Sequence, residues 1–264
     1  MPMKPIRLGV LMDDISSIKP HKDSTFAMML EAQARHWEIY TFDSSDMYYS
    51  DGKVIADSRK TLVNDSESDW HSREDAQPLS LGALDAVFMR KDPPFDMDYI
   101  YATYLLEQLE SDGVLVVNKP SSLRDANEKL FALNFPECIP KTLVSSNIKK
   151  LNTFINEIKT VVVKPLDGYA LARLPAEGSF KGNLAAGAKG VGQPLSERDR
   201  YLCSQIAPIL IKKELMFVGL DVIGDYITEI NVTSPTCIRE LDKQFGLNIS
   251  ATLLDEVENR LSLR

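Results

Sequence analysis

The first half of the chain alternates short apolar runs with amphipathic segments, and this alternation restricts the fold more than any other feature. Apolar runs at 6–12, 38–42, 84–89 and 113–117 have the length and composition of buried strands. Between them, apolar residues recur with helical spacing, in one helix that begins at the cap residue Ser24 and in another over 98–109. Such an alternation predicts an α/β fold built on an open, mostly parallel sheet.

The later segments predict a second, smaller unit and a long loop. Residues 43–80 are polar and acidic, which favours a small hairpin excursion or loops. We predict a strand at 161–164 and helices at 122–131, 147–158 and 250–261. Residues 176–192 carry five glycines and little periodic hydrophobicity, as is typical of a mobile loop. Ser196 and Asp199 form a capping-box pattern that predicts a helix reaching about residue 215.

Residues 217–240, FVGLDVIGDYITEINVTSPTCIRE, predict a β-hairpin. Two runs rich in Val, Ile and Leu flank Gly224 and Asp225, a dipeptide that suits a tight turn. Side chains alternate between the two faces of a strand, so Glu229 and Asn231 share one face. An acidic and an amide side chain therefore lie together on this strand.

The number of residues in the turn decides whether Asp221 joins the same face. With three turn residues, 224–226, Asp221 lies opposite Glu229, and Gly219 lies opposite Asn231. With two turn residues, Glu229 would share the face of aliphatic residues, where burying an unpaired carboxylate is costly. We therefore predict the three-residue turn, with an apolar face towards the core and an opposite face that carries two carboxylates and an amide oxygen.

Asp221, Glu229 and Asn231 offer oxygen ligands of the kind that a hard cation prefers. Magnesium in nucleotide sites is usually held by one or two carboxylates together with phosphates and water. The three side chains therefore predict a site for magnesium and a phosphate-bearing ligand. The same spacing also fits a hairpin whose polar face simply meets solvent.

Composition argues against several classes of partner. The net charge of −8 and the pI near 5.0 argue against nucleic acid or an anionic membrane, because both require basic surfaces. No apolar stretch approaches a membrane span, and Asp13 and Asp14 end the N-terminal apolar run before it could serve as a signal peptide. The three cysteines lack C-x-x-C spacing, so we expect no disulfide framework, no zinc site and a reducing, cytoplasmic location.

Several cationic residues are candidates for binding an anionic ligand. Lys129, which we predict on a helix, and Lys164, which we predict to end an apolar strand, suit point contacts to phosphate. Each also fits an ordinary solvent-exposed lysine. Further positive charge lies near the glycine-rich segment and the hairpin, at Arg173, Lys181, Lys189 and Arg239.

Three other patterns point to weaker conclusions. Residues 182–189, GNLAAGAK, superficially resemble a phosphate-binding P-loop, but the lysine is displaced by one position and no Ser or Thr follows it. We interpret this segment as a lid or as an exposed loop. The histidines have no well-placed serine or cysteine partner, so a nucleophilic mechanism is not indicated. Residues 90–94, RKDPP, follow a predicted strand where α/β ligands commonly bind, although a plain turn also fits.

Several segments together closely resemble the bacterial glutathione synthetases of the ATP-grasp superfamily. The matching segments are STFAMMLEA, MRKDPPFD, NKPSSLRDANEKLF, VKPLDG, LARLPAEGSFKGNLAAGAKG and FVGLDVIGDYITEINVTSPTCIRE. The resemblance implies an N-terminal Rossmann-like domain followed by an ATP-grasp fold. It also implies a reaction: ATP phosphorylates the carboxylate of γ-glutamylcysteine, and glycine attacks the acyl phosphate to give glutathione, ADP and phosphate.

The resemblance implies a role for each candidate residue. Asp221, Glu229 and Asn231 would hold Mg²⁺ (or Mn²⁺) on the phosphates of ATP, and Arg173 with Arg239 would neutralise the acyl phosphate or bind the substrate carboxylate. Residues 174–189 would be a lid that protects the acyl phosphate from water. The implied partners are small molecules and further copies in a homo-oligomer. The implied ATP-binding residues are Lys129, Lys164, Asp167, Gly168, Asn183 and Lys189.

One departure from the family pattern is large. In the family, VKPLDG runs into a glycine-rich phosphate loop, several strands and a hinge that contacts adenine, whereas here Tyr169 follows Gly168 directly. The implied domains are therefore an N-terminal domain at 1–122, a truncated central ATP-grasp subdomain at 123–168 and a C-terminal subdomain with the lid and the metal hairpin at 169–264.

Two explanations of this departure stay open. Either the sequence omits a segment that the natural protein carries, or the protein has a true internal deletion, which would severely weaken ATP binding. Two alternatives to glutathione synthesis follow. One is a different ATP-grasp amino-acid ligase, and the other is a non-catalytic remnant that binds a peptide or a partner protein.

Overall fold

A computed structural model describes residues 4–155, 163–166, 169–174 and 189–264 of the chain. The chain forms two compact units. The first comprises Met1–Ala126, Leu210–Val218 and Val232–Arg264, and the second comprises Asn127–Ile209 and Gly219–Asn231. The division into 1–122, 123–168 and 169–264 stays a prediction.

The secondary structure is as follows. The α-helices are α1 (Ser24–Ala34), α2 (Met97–Ser111), α3 (Pro120–Asp125), α4 (Ile148–Ile155), α5 (Glu197–Lys212), α6 (Ile238–Phe245) and α7 (Ile249–Ser262). The strands are β1 (Arg7–Leu11), β2 (Glu38–Phe42), β3 (Met47–Ser50), β4 (Lys53–Val63), β5 (His71–Arg73), β6 (Gln77–Ser80), β7 (Ala86–Met89), β8 (Leu115–Val117), β9 (Val163–Leu166), β10 (Tyr169–Leu174), β11 (Lys189–Pro194), β12 (Gly219–Ile223) and β13 (Tyr226–Asn231).

The first unit is built on an eight-stranded sheet in the order β3-β4-β2-β1-β7-β8, with β5 and β6 also paired to β4. Strands β2, β1, β7 and β8 run parallel, which confirms the predicted open α/β sheet. Strands β7 and β8 are buried along their whole length, as expected for parallel strands covered on both faces. Leu8, Phe26, Phe88 and Leu106 are among the core residues of this unit.

The polar segment 43–80 folds into antiparallel strands at one end of this sheet. Strand β4 pairs with β2, β3, β5 and β6. Buried and more exposed residues alternate along much of β4, which fits a strand with one covered face. Of the two predicted possibilities, the hairpin excursion is therefore the one that forms.

Two predicted helix ends are wrong, each because a polar side chain bonds the backbone. Asp23 rather than Ser24 caps α1, since its carboxylate accepts a hydrogen bond from the backbone N–H of Phe26. The helix predicted over 122–131 ends at Asp125. The Asn127 side chain then accepts from the backbone N–H groups of Lys129 and Leu130, and such local bonds compete with helix formation.

The second unit contains a five-stranded sheet in the order β11-β10-β9-β12-β13. Its described pairings are antiparallel. Two predictions need correction here. Lys164 lies inside β9 rather than at a strand end, and residues 189–192, predicted as loop, belong to β11. Residues 156–162, 167–168 and 175–188 lie outside the described part of the chain, and most of the predicted lid falls among them.

None of the helices that the structure describes is long and apolar enough to cross a membrane. The prediction of an amphipathic final helix is confirmed by α7, in which Leu253, Leu254 and Val257 are buried.

The predicted capping box at the start of α5 is confirmed and provides a test of local stability. The Asp199 carboxylate accepts hydrogen bonds from the Ser196 backbone N–H at 2.9 Å and from its hydroxyl at 2.8 Å, while the Asp199 N–H donates to the Ser196 hydroxyl at 3.1 Å. Ser196→Ala should lower the free energy of unfolding by about 1 kcal/mol, measured by urea denaturation. Ser204→Ala, at an exposed position in the same helix, is the control. Equal losses in the two variants would contradict a capping role.

Candidate metal hairpin

Strands β12 and β13 form the predicted hairpin in the predicted register. Asp221 pairs with Glu229 and Gly219 pairs with Asn231. The turn, however, has two residues rather than the predicted three, because Ile223 pairs with Tyr226. The pairing expected from the longer turn is therefore reached in a different way.

A β-bulge at Thr228 reconciles the short turn with the register. Val222 pairs with Ile227, whereas Asp221 pairs with Glu229, so Thr228 is an extra residue in β13. Its hydroxyl donates a hydrogen bond to the Asp221 carbonyl oxygen at 3.1 Å. The extra residue shifts the alternation of β13 by one, which brings Glu229 opposite Asp221 and keeps it off the aliphatic face.

The two faces of the hairpin differ as the chemistry requires. Leu220, Val222, Ile227 and Ile230 are buried and supply the apolar face. On the other face, directly opposed side chains on neighbouring strands have Cβ atoms about 5 Å apart, which places the carboxylates of Asp221 and Glu229 within reach of one ion. Asp221 is itself buried, so its carboxylate belongs to an enclosed environment.

Glu128 is a third carboxylate beside this face, and the sequence interpretation missed it. The Glu128 carbonyl accepts a hydrogen bond from the Ile230 N–H at 2.8 Å, which fixes residue 128 against β13. Burial raises the pKa of the Glu229 carboxyl, and its hydrogen bond with Glu128 and the charge of Asp221 raise that pKa further. Negative charge is thus concentrated at a point where a bound cation would reduce the repulsion between the carboxylates. The only sequence signal was its position beside Lys129.

Lys129 lies at the same place, in a turn rather than on the predicted helix. Its Nζ is 4.0 Å from Glu128 Oε2 and 4.0 Å from Glu229 Oε1, and its side chain is 73% exposed. Its charge acts to lower the pKa of Glu229, against the larger effect of burial. One exposed ammonium therefore stands next to the carboxylates, where it can also reach an anion.

The donor set fits a magnesium ion that keeps part of its coordination for other ligands. Within the described parts of the chain, no three His, Cys, Asp or Glu side chains are arranged to hold a metal on their own. Asp221, Glu229 and Asn231 supply two carboxylates and one amide. Magnesium is usually bound in this way, with phosphates and water completing its octahedron.

Of the other candidate residues besides Arg239, three are placed by backbone register alone and four lie outside the described residues. Lys164 of β9 pairs with Leu171, and in the β10–β11 pair Arg173 lies opposite Gly190 and Leu174 opposite Lys189. The antiparallel sheet therefore brings the strands that carry Lys164, Arg173 and Lys189 side by side. Asp167, Gly168, Lys181 and Asn183 lie outside the described residues.

Arg239 lies in the first unit, in the first turn of α6. Its guanidinium donates to Asp65 at 2.7 Å and lies 5.6 Å from the centre of the Phe26 ring. It also lines a cavity of about 600 Å³ with Glu31, Asp242 and other residues of this unit. Arg239 is thus positioned by an ion pair beside a space that a small polar molecule can enter.

Arg90 and Lys91, at the end of β7, have partners within the first unit. Arg90 is buried and donates to the Thr25 hydroxyl at 3.0 Å and to the Pro235 carbonyl oxygen at 2.9 Å. Lys91 forms ion pairs with Asp13 and Asp43. Arg90 therefore ties the end of β7 to the segment that follows the hairpin.

Family models match both parts of the chain. The N-terminal domain of prokaryotic glutathione synthetase matches residues 6–124, and the ATP-grasp domain of the same family matches residues 128–170 and 168–246. The second match is split into two pieces that overlap at residues 168–170, where the sequence departs from the family pattern.

Curated relatives agree over nearly the full length. Glutathione synthetase of Vibrio vulnificus is 43% identical, over 97% of this chain and 98% of that protein. Glutathione synthetase of Coxiella burnetii is 44% identical, over 97% of each chain. The alignment with the Vibrio protein spans 312 positions against 264 residues here, so that relative carries at least 48 residues that this chain lacks.

Solved structures support the fold. The ATP-grasp ligase PsnB, complexed with a minimal precursor, has a TM-score of 0.59 at 15% identity, over 97% of this chain and 99% of that one. The macrocyclase MdnC, bound with precursor peptide MdnA from Microcystis aeruginosa, has a TM-score of 0.57 at 15% identity, over 96% and 99%. An ATP-grasp ligase fold and relatives above 40% identity together show that the chain belongs to the prokaryotic glutathione synthetase family.

Proposed function

We propose that this protein is an ATP-dependent carbon–nitrogen ligase that joins γ-glutamylcysteine to glycine and releases glutathione, ADP and phosphate. The observation that carries the proposal is the opposition of Asp221 and Glu229 on one face of a hairpin in a chain of this family. Catalysis of this kind depends mainly on positioning and on charge stabilisation, which carboxylates and cations provide.

The residues would divide the work as follows. Asp221, Glu229 and Asn231 would hold Mg²⁺ or Mn²⁺, which when bound neutralises charge on the phosphates of ATP. Lys129 stands beside Glu229 and would contact those phosphates. The remaining proposed ATP-binding residues are Lys164, Asp167, Gly168, Asn183 and Lys189.

The reaction would proceed in two steps. A carboxylate oxygen of γ-glutamylcysteine attacks the terminal phosphorus of ATP, and ADP leaves. The amine of glycine then attacks the acyl carbon, a peptide bond forms, and phosphate leaves as the amine loses its proton. Arg173 and Arg239 would neutralise the acyl phosphate or bind the substrate carboxylate. Residues 174–189 would exclude water from the acyl phosphate, since closure of a loop protects reactive intermediates.

We propose a cytoplasmic location and a homo-oligomer. The cysteines support the location: Cys138, Cys203 and Cys237 are all free thiols. The oligomer rests on the family resemblance. Light scattering of the purified protein measures its mass directly, and a monomer at micromolar concentration would contradict the proposal.

The absence of this segment from the sequence supports a second candidate function, which is binding without catalysis. A chain of the family that lacks at least 48 residues where the adenine contacts are expected can retain the metal hairpin without retaining nucleotide affinity. Such a protein would bind a peptide or a partner protein without ligase turnover. It would keep the fold of the first unit, and it would release no ADP when supplied with ATP and magnesium.

The deciding experiment measures ADP release with magnesium and ATP. Stimulation that requires both γ-glutamylcysteine and glycine supports glutathione synthesis. Stimulation by another amino acid in place of glycine indicates a different ATP-grasp ligase. Absence of ADP release from a folded protein, judged by circular dichroism, supports the non-catalytic alternative.

A further inference from the structure

Asn118 is a buried polar residue directly after β8 that no role described above uses. Its side-chain Nδ2 donates to the Phe217 carbonyl oxygen at 2.7 Å and to the Val232 carbonyl oxygen at 2.8 Å. Its Oδ1 accepts from the Phe217 N–H at 2.9 Å. Asn118 is 4% exposed, so solvent cannot replace these bonds readily.

The Asn118 amide binds Phe217 as a neighbouring strand would. In an antiparallel ladder, two paired residues exchange both an N–H and a carbonyl bond. The Asn118 side chain makes the same exchange with Phe217 and uses its second N–H on Val232. One side chain thus holds two segments that lie 99 and 114 residues after it in the sequence.

Phe217 and Val232 are the residues that flank the metal hairpin. The chain enters β12 at Gly219, two residues after Phe217, and leaves β13 at Asn231, immediately before Val232. Gly219 and Asn231 form the last pair at the open end of the hairpin. The bonds of Asn118 therefore hold the two backbone segments that precede β12 and follow β13.

The segment after Val232 is fixed separately. The Ser234 hydroxyl donates to Asp92 at 2.6 Å, and Arg90 donates to the Pro235 carbonyl oxygen at 2.9 Å. The Arg90 guanidinium also lies over the ring of the incoming residue Phe217, 5.4 Å from its centre, but its hydrogen bonds go to Thr25 and to the outgoing segment. Asn118 forms hydrogen bonds to the backbone of both the incoming and the outgoing segment, at Phe217 and at Val232.

We propose that Asn118 is a positioning residue for the metal hairpin. Its amide fixes the open end of the hairpin and keeps Asn231 in place to join Asp221 and Glu229 on one ion. The inference rests on the metal role in the proposed function. The three side-chain bonds of Asn118 described above all go to backbone groups, so its proposed effect on the site is transmitted through the chain.

Other side chains at this position fail for identifiable reasons. Leucine has a similar size but leaves the Phe217 N–H and two carbonyl groups buried without their partner. Aspartate keeps the acceptor for the Phe217 N–H, loses both donors and faces two carbonyl oxygens with a charge. Both substitutions loosen the open end of the hairpin, and aspartate is the second variant if the leucine variant does not fold.

Ser122→Ala is the matched control. Ser122 is also buried in the first unit, and its hydroxyl donates to a backbone carbonyl, that of Lys213, at 2.6 Å. The substitution removes a buried bond between a side chain and the backbone without removing any of the three bonds at the hairpin. Thermal unfolding compares the stability cost of the two substitutions.

The first measurement is the affinity of the protein for Mn²⁺ alone, followed by electron paramagnetic resonance. Asn118→Leu should weaken Mn²⁺ binding about tenfold, the lower end of what loss of an outer-shell partner costs. Ser122→Ala should leave the Mn²⁺ affinity unchanged.

In an Asn231→Ala background, Asn118→Leu should cause no further loss of Mn²⁺ affinity, because its effect is transmitted through Asn231. Hydrogen exchange should become faster in residues 217–232 and not in α7.

The outcomes separate this inference from the proposed function. If wild-type protein binds no Mn²⁺, the metal site itself is overturned, and the role of Asn118 in it falls too. If wild type and Asn118→Leu bind Mn²⁺ equally, only the role of Asn118 is overturned. Additive losses from Asn118→Leu and Asn231→Ala would likewise reject positioning through Asn231.

Discussion

Glu229→Gln lowers magnesium-dependent ADP release by about 10²–10³-fold, as expected when a group that stabilises charge in the transition state is removed. The substitution keeps the size of the side chain and its place opposite Asp221, but it removes the negative charge that attracts the cation. Mn²⁺ affinity should fall in parallel. Stability in the absence of metal should hold or rise, because the half-buried Glu229 carboxylate lies beside two other carboxylates.

Glu74→Gln is the control for this experiment. It makes the same chemical change at an exposed position after β5 in the first unit. Both turnover and Mn²⁺ affinity should match those of the wild type. Unchanged magnesium-dependent turnover in Glu229→Gln would contradict the assignment of the hairpin as the metal site.

Restoring the missing segment tightens ATP binding by on the order of 100-fold, a difference of about 2.7 kcal/mol in binding free energy. The insert is the part of the Vibrio vulnificus relative that has no counterpart here, placed between Gly168 and Tyr169. The family resemblance assigns the adenine contacts and the glycine-rich phosphate loop to this segment. Isothermal titration calorimetry with a non-hydrolysable ATP analogue measures the change.

The control insert is a Gly/Ser linker of equal length, which adds chain without adenine contacts. It should leave ATP affinity as weak as in the parent chain. Equal ATP affinity in the parent chain and in the restored chain would show that this protein binds nucleotide without the segment, and the non-catalytic alternative would lose its main support.

Much of the fold was predictable because the spacing of apolar residues, which differs between helices and strands, can be read from a single sequence. The parallel strands were located by apolar runs, and α7 was located by its apolar stripe. The helix predicted over 122–131 was wrong in its end, because the spacing of apolar residues gives no sign that the Asn127 side chain accepts a hydrogen bond from the nearby backbone. Helix boundaries depend on such single contacts.

The candidate site was predictable in its register but not in its construction. The cost of burying Glu229 among aliphatic residues favoured the register in which Asp221 lies opposite it, and that register formed although the predicted turn length was wrong. The sequence does not reveal that a bulge at Thr228, rather than a longer turn, satisfies this requirement. Glu128 and Asn118 were missed for another reason: their contacts join segments about 100 residues apart, and no local pattern encodes them.

The pairing of β9 with β10 has a consequence for how this family changes in length. Leu166 and Tyr169 are partners in the sheet, and paired residues have Cα atoms about 5 Å apart. The segment that the relatives carry thus starts and finishes at neighbouring points. Two strands that are already paired can accept a long inserted segment between them without separating, so the family can differ in length at this junction while the β9–β10 pairing is kept.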